Sequence, residues 1–104
     1  ISNNASQNQD PIYLPSSQSL SGTGALSAVS LATTATYITT TGAATTTLAA
    51  GINGQIKTIM MLANGGDMVV TVTNAGWQTS GTGVITFNTI GSEVTLQYIN
   101  SKWF

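Results

Sequence analysis

Residues Ile56 to Leu62, Ile-Lys-Thr-Ile-Met-Met-Leu, constrain the fold more than any other stretch of this chain. Side chains alternate along a strand, so Ile56, Thr58, Met60 and Leu62 share one face while Lys57, Ile59 and Met61 share the other. Both faces are largely apolar, whereas a strand with one side in water alternates apolar with polar. The segment is therefore expected to be covered twice, by its own domain on one side and by another subunit on the other. Asn64-Gly65-Gly66-Asp67 follows, then Met68 to Thr73, a second run of β-favouring residues. Two such runs around a short Asn/Gly cluster predict a β-hairpin with a loop of about four residues.

The rest of the chain carries the same short-strand rhythm. Ala25 to Leu31 alternates, Ala32 to Thr41 is β-favouring around Tyr37 and Ile38, and Thr45 to Leu48 is a further strand after the break at Gly42. A long loop, Asn74 to Gly83, holds Trp77. Val84 to Thr89 follows with Ile85 and Phe87 on one face, and Glu93 to Ile99 sets Val94, Leu96 and Tyr98 against Glu93, Thr95 and Gln97. Seven or so short strands, with Gly or Asn at nearly every break and no helical periodicity, predict an all-β domain, an antiparallel β-sandwich of jelly-roll type. A trimeric β-helix or β-prism fibre module is the alternative, disfavoured because no exact internal repeat is visible. Residues 20–104 form the expected domain and residues 1–19 an extended arm. The arm is polar up to Asp10, and its Asn4-Ala5-Ser6 triplet is read as a chance match to the glycosylation pattern. Between Pro11 and Pro15 the chain is held extended, with Ile12, Tyr13 and Leu14 in need of burial. The opening on Ile1 reads as a piece cut from something longer.

Charged residues are 5% of the 104, against roughly 25% in an ordinary soluble domain, while the hydrophobic share is an ordinary 41%. Thr, Ser, Asn, Gln and Gly supply polarity without charge, and a net charge of -1 gives no footprint for nucleic acid or an anionic membrane. Neither cysteine nor histidine is present. The acid–base inventory is Asp10, Asp67, Glu93, Lys57 and Lys102, dispersed along the chain. A serine nucleophile would lack its base, and no metal-ligand cluster or cofactor motif can be assembled, so no enzyme, metal or cofactor is expected. Asp67 is expected to bond the backbone of its glycine turn, and Glu93 to pair with Lys57 or Lys102 across strands. The glycine pairs lack the lysine and helix of a phosphate loop and are turns. Trp77, with Asn74, Gln78 and Thr79 nearby, is the candidate carbohydrate platform: an indole for the sugar ring, amides and hydroxyls for its oxygens. The runs Thr39-Thr40-Thr41 and Thr45-Thr46-Thr47 bring ice-binding surfaces to mind, but those need a flat regular repeat, and β-propensity explains the threonines.

Gly51-x-x-Gly54-Gln55-x-Lys57-Thr58-Ile59, Gly65-Gly66-Asp67 with its Val-Val-Thr-Val strand, Gly83-Val-Ile-Thr-Phe87 and Gly91-x-x-Val94-x-Leu96-x-Tyr98, ending in Lys102-Trp103, form a pattern over residues 20–104. It resembles Gly/Thr-rich β modules in surface, attachment and fibre proteins of large algal DNA viruses, such as chlorella viruses, and of tailed phages. The resemblance implies a trimeric module on the exterior of a virion that meets the host cell wall. It transfers no binding residue. The expectation is a virion-surface attachment module for host cell-wall polysaccharide, assembled as a homotrimer through Ile59, Met61, Ile12, Tyr13 and Leu14. A purely structural trimerisation or spacer module without ligand is the alternative.

Overall fold

The computed structural model describes residues 16–104, and every regular element among them is a β-strand. They are β1 (Ser17–Ala25), β2 (Ala35–Leu48), β3 (Ile56–Asn64), β4 (Met68–Thr73), β5 (Thr82–Phe87), β6 (Glu93–Ile99) and β7 (Lys102–Trp103). All seven belong to one mixed sheet. The all-β expectation holds, and the antiparallel one holds only for β3 with β6, β4 with β5 and β6 with β7. β1 with β2, β2 with β3 and β2 with β4 are parallel, a pairing that an antiparallel sandwich of jelly-roll type does not contain.

Strand β2 is the spine. Its first half, Ala35–Thr40, lies beside β3, and its second half, Ala44–Leu48, lies beside β4. β3 and β4 therefore follow one another along the same neighbour, in the same direction. The predicted hairpin is absent: Asn64-Gly65-Gly66-Asp67 is a corner through which the chain continues, not a reversal. The reason lies in what stacks beneath it. The Gly65 N–H donates to the Thr40 carbonyl at 2.8 Å, and the Ala44 N–H donates to the Asp67 carbonyl at 2.8 Å. The Thr40 hydroxyl donates to the Gly66 carbonyl at 2.6 Å and accepts from the Gly65 N–H at 3.0 Å. With no Cβ, the two glycines bring their backbone onto that of Thr40 to Ala43; a Cβ on Gly65 would sit 2.5 Å from the Thr40 oxygen.

The chain thus makes three passes in the same direction: β1, then β2, then β3 with β4. Each pass has an inner corner, at Gly22–Gly24, near Gly42 and at Gly65–Gly66, and segments 26–34 and 49–55 return the chain to the start of the next. A fourth pass runs backwards, β5 along β4 and β6 along β3. β1 takes in Ser17 to Ser19, residues read from sequence as arm, and the two strands anticipated either side of Gly42 are one.

One face of every pass turns inward. Leu20, Ile38, Ile59, Met61, Leu96 and Tyr98 come from the first halves, and Ala44, Leu48, Met68, Val70, Val72 and Phe87 from the second. Each fully buried aliphatic or aromatic side chain here contributes about 1.5–3 kcal/mol relative to exposure. Trp103 closes the open side of the curl. It is fully buried, packs edge-on against Tyr98 with centroids 5.1 Å apart, bridges to Ala75, and donates its indole N–H to the Ala49 carbonyl at 2.9 Å.

Ile59 and Met61, expected at a subunit contact, have no exposed surface in the single chain. This corrects the reading of β3: its inward side is Lys57, Ile59 and Met61, because these share register with the inner residues Thr36, Ile38, Leu96 and Val94. The apolar side left to the exterior is the other one, with Ile56 and Leu62 each 50% exposed. Ile12, Tyr13 and Leu14 lie outside the described residues.

Candidate functional site

Trp77 sits in the connection between β4 and β5, and local geometry fixes it there. Asn74 adopts a positive φ of 60° and Gly81 one of 84°, which fold the loop back on itself. The Ala75 N–H then donates to the Gly81 carbonyl at 3.0 Å, and the Gly81 N–H to the Gln78 carbonyl at 3.1 Å. The indole lies across Gly83 of β5, where a Cβ would come within 2.6 Å of the indole nitrogen. Glycine leaves the room that the ring and the Ala75 methyl occupy against that strand.

Together with Val84 and Ile85 of β5 and Val94 and Leu96 of β6, Trp77 lines a cleft of about 300 Å³. Every lining side chain is apolar, and Trp77 is 43% exposed at its rim. The cleft belongs to the reversed fourth pass, where the inward residues Ile85 and Val94 have no further pass to cover them and remain half-exposed among the described residues. That explains an apolar hollow at this end of the stack.

The four residues expected to hold a sugar divide in two. Trp77, Gln78 and Thr79 are exposed and adjacent. Asn74 is turned inward, its side-chain amide donating to the Tyr98 hydroxyl at 2.9 Å, which in turn donates to the Ser101 carbonyl at 3.0 Å. The walls Val84, Ile85, Val94 and Leu96 were not part of the expected site. No spacing rule could have found them, since their meeting with Trp77 depends on β5 and β6 sharing the last pass.

The cation expected to pair with Glu93 does something else. Lys57 is enclosed, and its ammonium donates to the Thr33 carbonyl at 2.9 Å and the Thr33 hydroxyl at 2.8 Å. Burial lowers its pKa from 10.5 to about 8. A half-buried amide does similar work: the Gln18 side-chain oxygen accepts from the Thr36 hydroxyl at 2.9 Å and the Ser30 N–H at 2.8 Å, while its amide donates to the Ala28 carbonyl at 3.0 Å. These groups tie segment 26–34 to the inner face, a structural task. The threonine runs split likewise. Thr40 and Thr46 point inward and bond backbone carbonyls, while Thr45 and Thr47 point outward in register with Val69 and Thr71. Among the described residues, no group of three or more His, Cys, Asp or Glu comes together as a metal site would require.

Comparison with known protein families, with characterised proteins and with solved structures finds no match.

Proposed function

We propose that this chain is a non-catalytic, self-assembling structural module of a surface or fibre-type assembly, with the β-helix-like fibre module as the finer description of its fold. The observation that carries this reading is the character of its exterior. Ile56, Leu62, Val84, Ile99, Phe104 and Trp77 are all substantially exposed on a chain with five charged residues in 104. Ile56 and Leu62 share the outer side of β3, and a charge-poor exterior that leaves such side chains uncovered suits contact with other protein subunits. Sedimentation velocity of the full chain at micromolar concentration tests it: self-association is expected, a closed trimer being the preferred form, and a strictly monomeric chain overturns the reading.

The second reading is attachment to host cell-wall polysaccharide at the exterior of a virion, supported by the exposed Trp77 indole beside Gln78 and Thr79. Stacking on an indole face suits a sugar ring. Pull-down on insoluble wall polysaccharide is expected to retain the chain and to lose most retention in Trp77→Ala; equal retention of both removes Trp77 from that role.

A further inference from the structure

We infer that the outer face of β2, β4 and β5 is a binding surface for ordered water, and that its ligand is a face of crystalline ice.

The linear sequence hides the pattern that the sheet brings out. β2 pairs with β4 over five residues and β4 with β5 over six, both without a register shift, whereas β1 with β2 and β2 with β3 each carry one. Across the three unshifted strands Thr45, Val69 and Thr86 form one outward row, and Thr47, Thr71 and Val84 form the next. Thr73 opposite Thr82 begins a third. All of these side chains are exposed or half-buried, and all are β-branched. Rows lie two residues apart, about 6.7 Å, and neighbours within a row about 4.8 Å. This is the regular repeat that the threonine runs lack when read along the chain.

Strand propensity alone does not produce it, because the other outward face, built on equally extended strands, has a different chemistry. There one row reads Ser19, Tyr37, Met60 and Glu93, with a phenol, a thioether and a carboxylate, and the sheet is broken by the shift between Ile38 and Thr39. The hydroxyls separate the two kinds of threonine as well. Inward, those of Thr36, Thr40 and Thr46 donate to protein oxygens at 2.9, 2.6 and 2.6 Å, while among the described residues none of the six outward hydroxyls of the grid has a protein partner.

Such a surface suits a neutral, rigid lattice. β-Branched side chains hold few rotamers, so the grid is ordered before binding and little freedom is lost on contact. No charged side chain stands among the rows to hold a hydration shell of its own. The prism face of ice repeats its oxygens along two perpendicular directions at close to these two spacings, so the hydroxyls can occupy lattice positions while the methyls settle in the hollows between them. Other occupants fit less well. A sugar ring calls for an aromatic plane, which the rows do not offer, and a second copy would bury six hydroxyls that have no partner built for them.

The test uses the full chain and the variants Thr71→Tyr, at the centre of the grid, and Thr95→Tyr, on the other outward face, compared after thermal melts show that both fold; Thr47→Tyr, at an exposed grid position, replaces the first if it does not. Faceting of a single ice crystal and inhibition of ice recrystallisation at micromolar protein are expected of the wild type and of Thr95→Tyr, and are expected to weaken about tenfold or more in the grid variant. Ice crystals that stay round in the wild type overturn the inference, as does full activity in the grid variant or an equal loss in Thr95→Tyr. If the grid variant instead loses retention on insoluble polysaccharide, or loses self-association in sedimentation velocity, the face belongs to a sugar lattice or to a second copy, and ice is overturned. None of these ice readouts depends on the self-assembly reading above, so the two can fail separately.

Discussion

Gly66 shows how little space a corner of this fold allows. A Cβ there would press onto the Gly42 carbon and the Ala43 nitrogen, backbone atoms of the neighbouring pass that cannot swing aside. Gly66→Ala is expected to destabilise the chain by about 2 kcal/mol or more, measured by urea unfolding. Gly91→Ala, at a φ of 88° with open space around the added methyl, is expected to lose about 1 kcal/mol through backbone strain alone. Lys57 sets a pH dependence whose sign follows from its surroundings. Below about pH 8 the ammonium is charged in folded and unfolded chains alike, and the cost of enclosing it is fully present. Between about pH 8 and 10.5 the unfolded chain binds a proton that the folded chain does not, so stability rises with pH, by at most about 1.4 kcal/mol per unit. Chemical denaturation at successive pH values should show that rise, and Lys57→Met should flatten it. Sequence gave no warning of either role. The turn residue expected to bond its own backbone was Asp67, but Asn64 performs that bond, its side-chain oxygen accepting from the Gly66 N–H at 3.1 Å. Both are Asx residues in one four-residue corner, and which of them bonds depends on the pass below.

Strands β3, β4 and β6 were legible because β-branched runs and clean alternation are local signals, and the inward assignment of Leu96 and Tyr98 stands. Their partners were not legible. A Gly-Gly between two strands reads as a reversal when only the strands are considered; the long β2 lying alongside both makes it a corner. β1 was missed for a related reason. Its Ser-Gln-Ser-Leu-Ser-Gly-Thr-Gly run has turn-former composition, and it is extended because each residue from Ser17 to Gly22 is in register with a residue of β2. β7 is two residues long, yet it carries Trp103, whose indole bonds Ala49 just past β2 and packs against Tyr98 near the end of β6, while its backbone bridges to Ala75 just past β4. Trp103→Ala should remove about 3–5 kcal/mol of stability, while Trp77→Ala, at a half-exposed position, should remove about 1 kcal/mol. Thermal or urea melts of the two variants side by side give that contrast.

Three passes with a common direction make this fold a short series in which each member touches only its neighbours, and such series have additive energetics. The repetition is invisible as a sequence repeat, since the successive passes share only inward apolar positions, a glycine-bearing corner and a return segment, while their lengths differ. The candidate site was legible in part: Trp77 stood out as a lone aromatic in a polar loop, and the walls behind it did not, because they are assembled only when the fourth pass turns back. That reversal gives the molecule a polarity. The antiparallel β5 and β6, sealed by β7, act as a full stop, whereas upstream of them each turn of chain is laid on the last in an identical sense. A duplicate of residues 35–55 placed after Gln55 would meet the same neighbours that β2 and β3 now offer one another, and should fold, lengthening the particle by about 4.8 Å as read by small-angle scattering. The same insertion after β5 should not fold. Evolution, or a designer, could therefore set the reach of this protein like a ruler graduated in single strands, but from one end only.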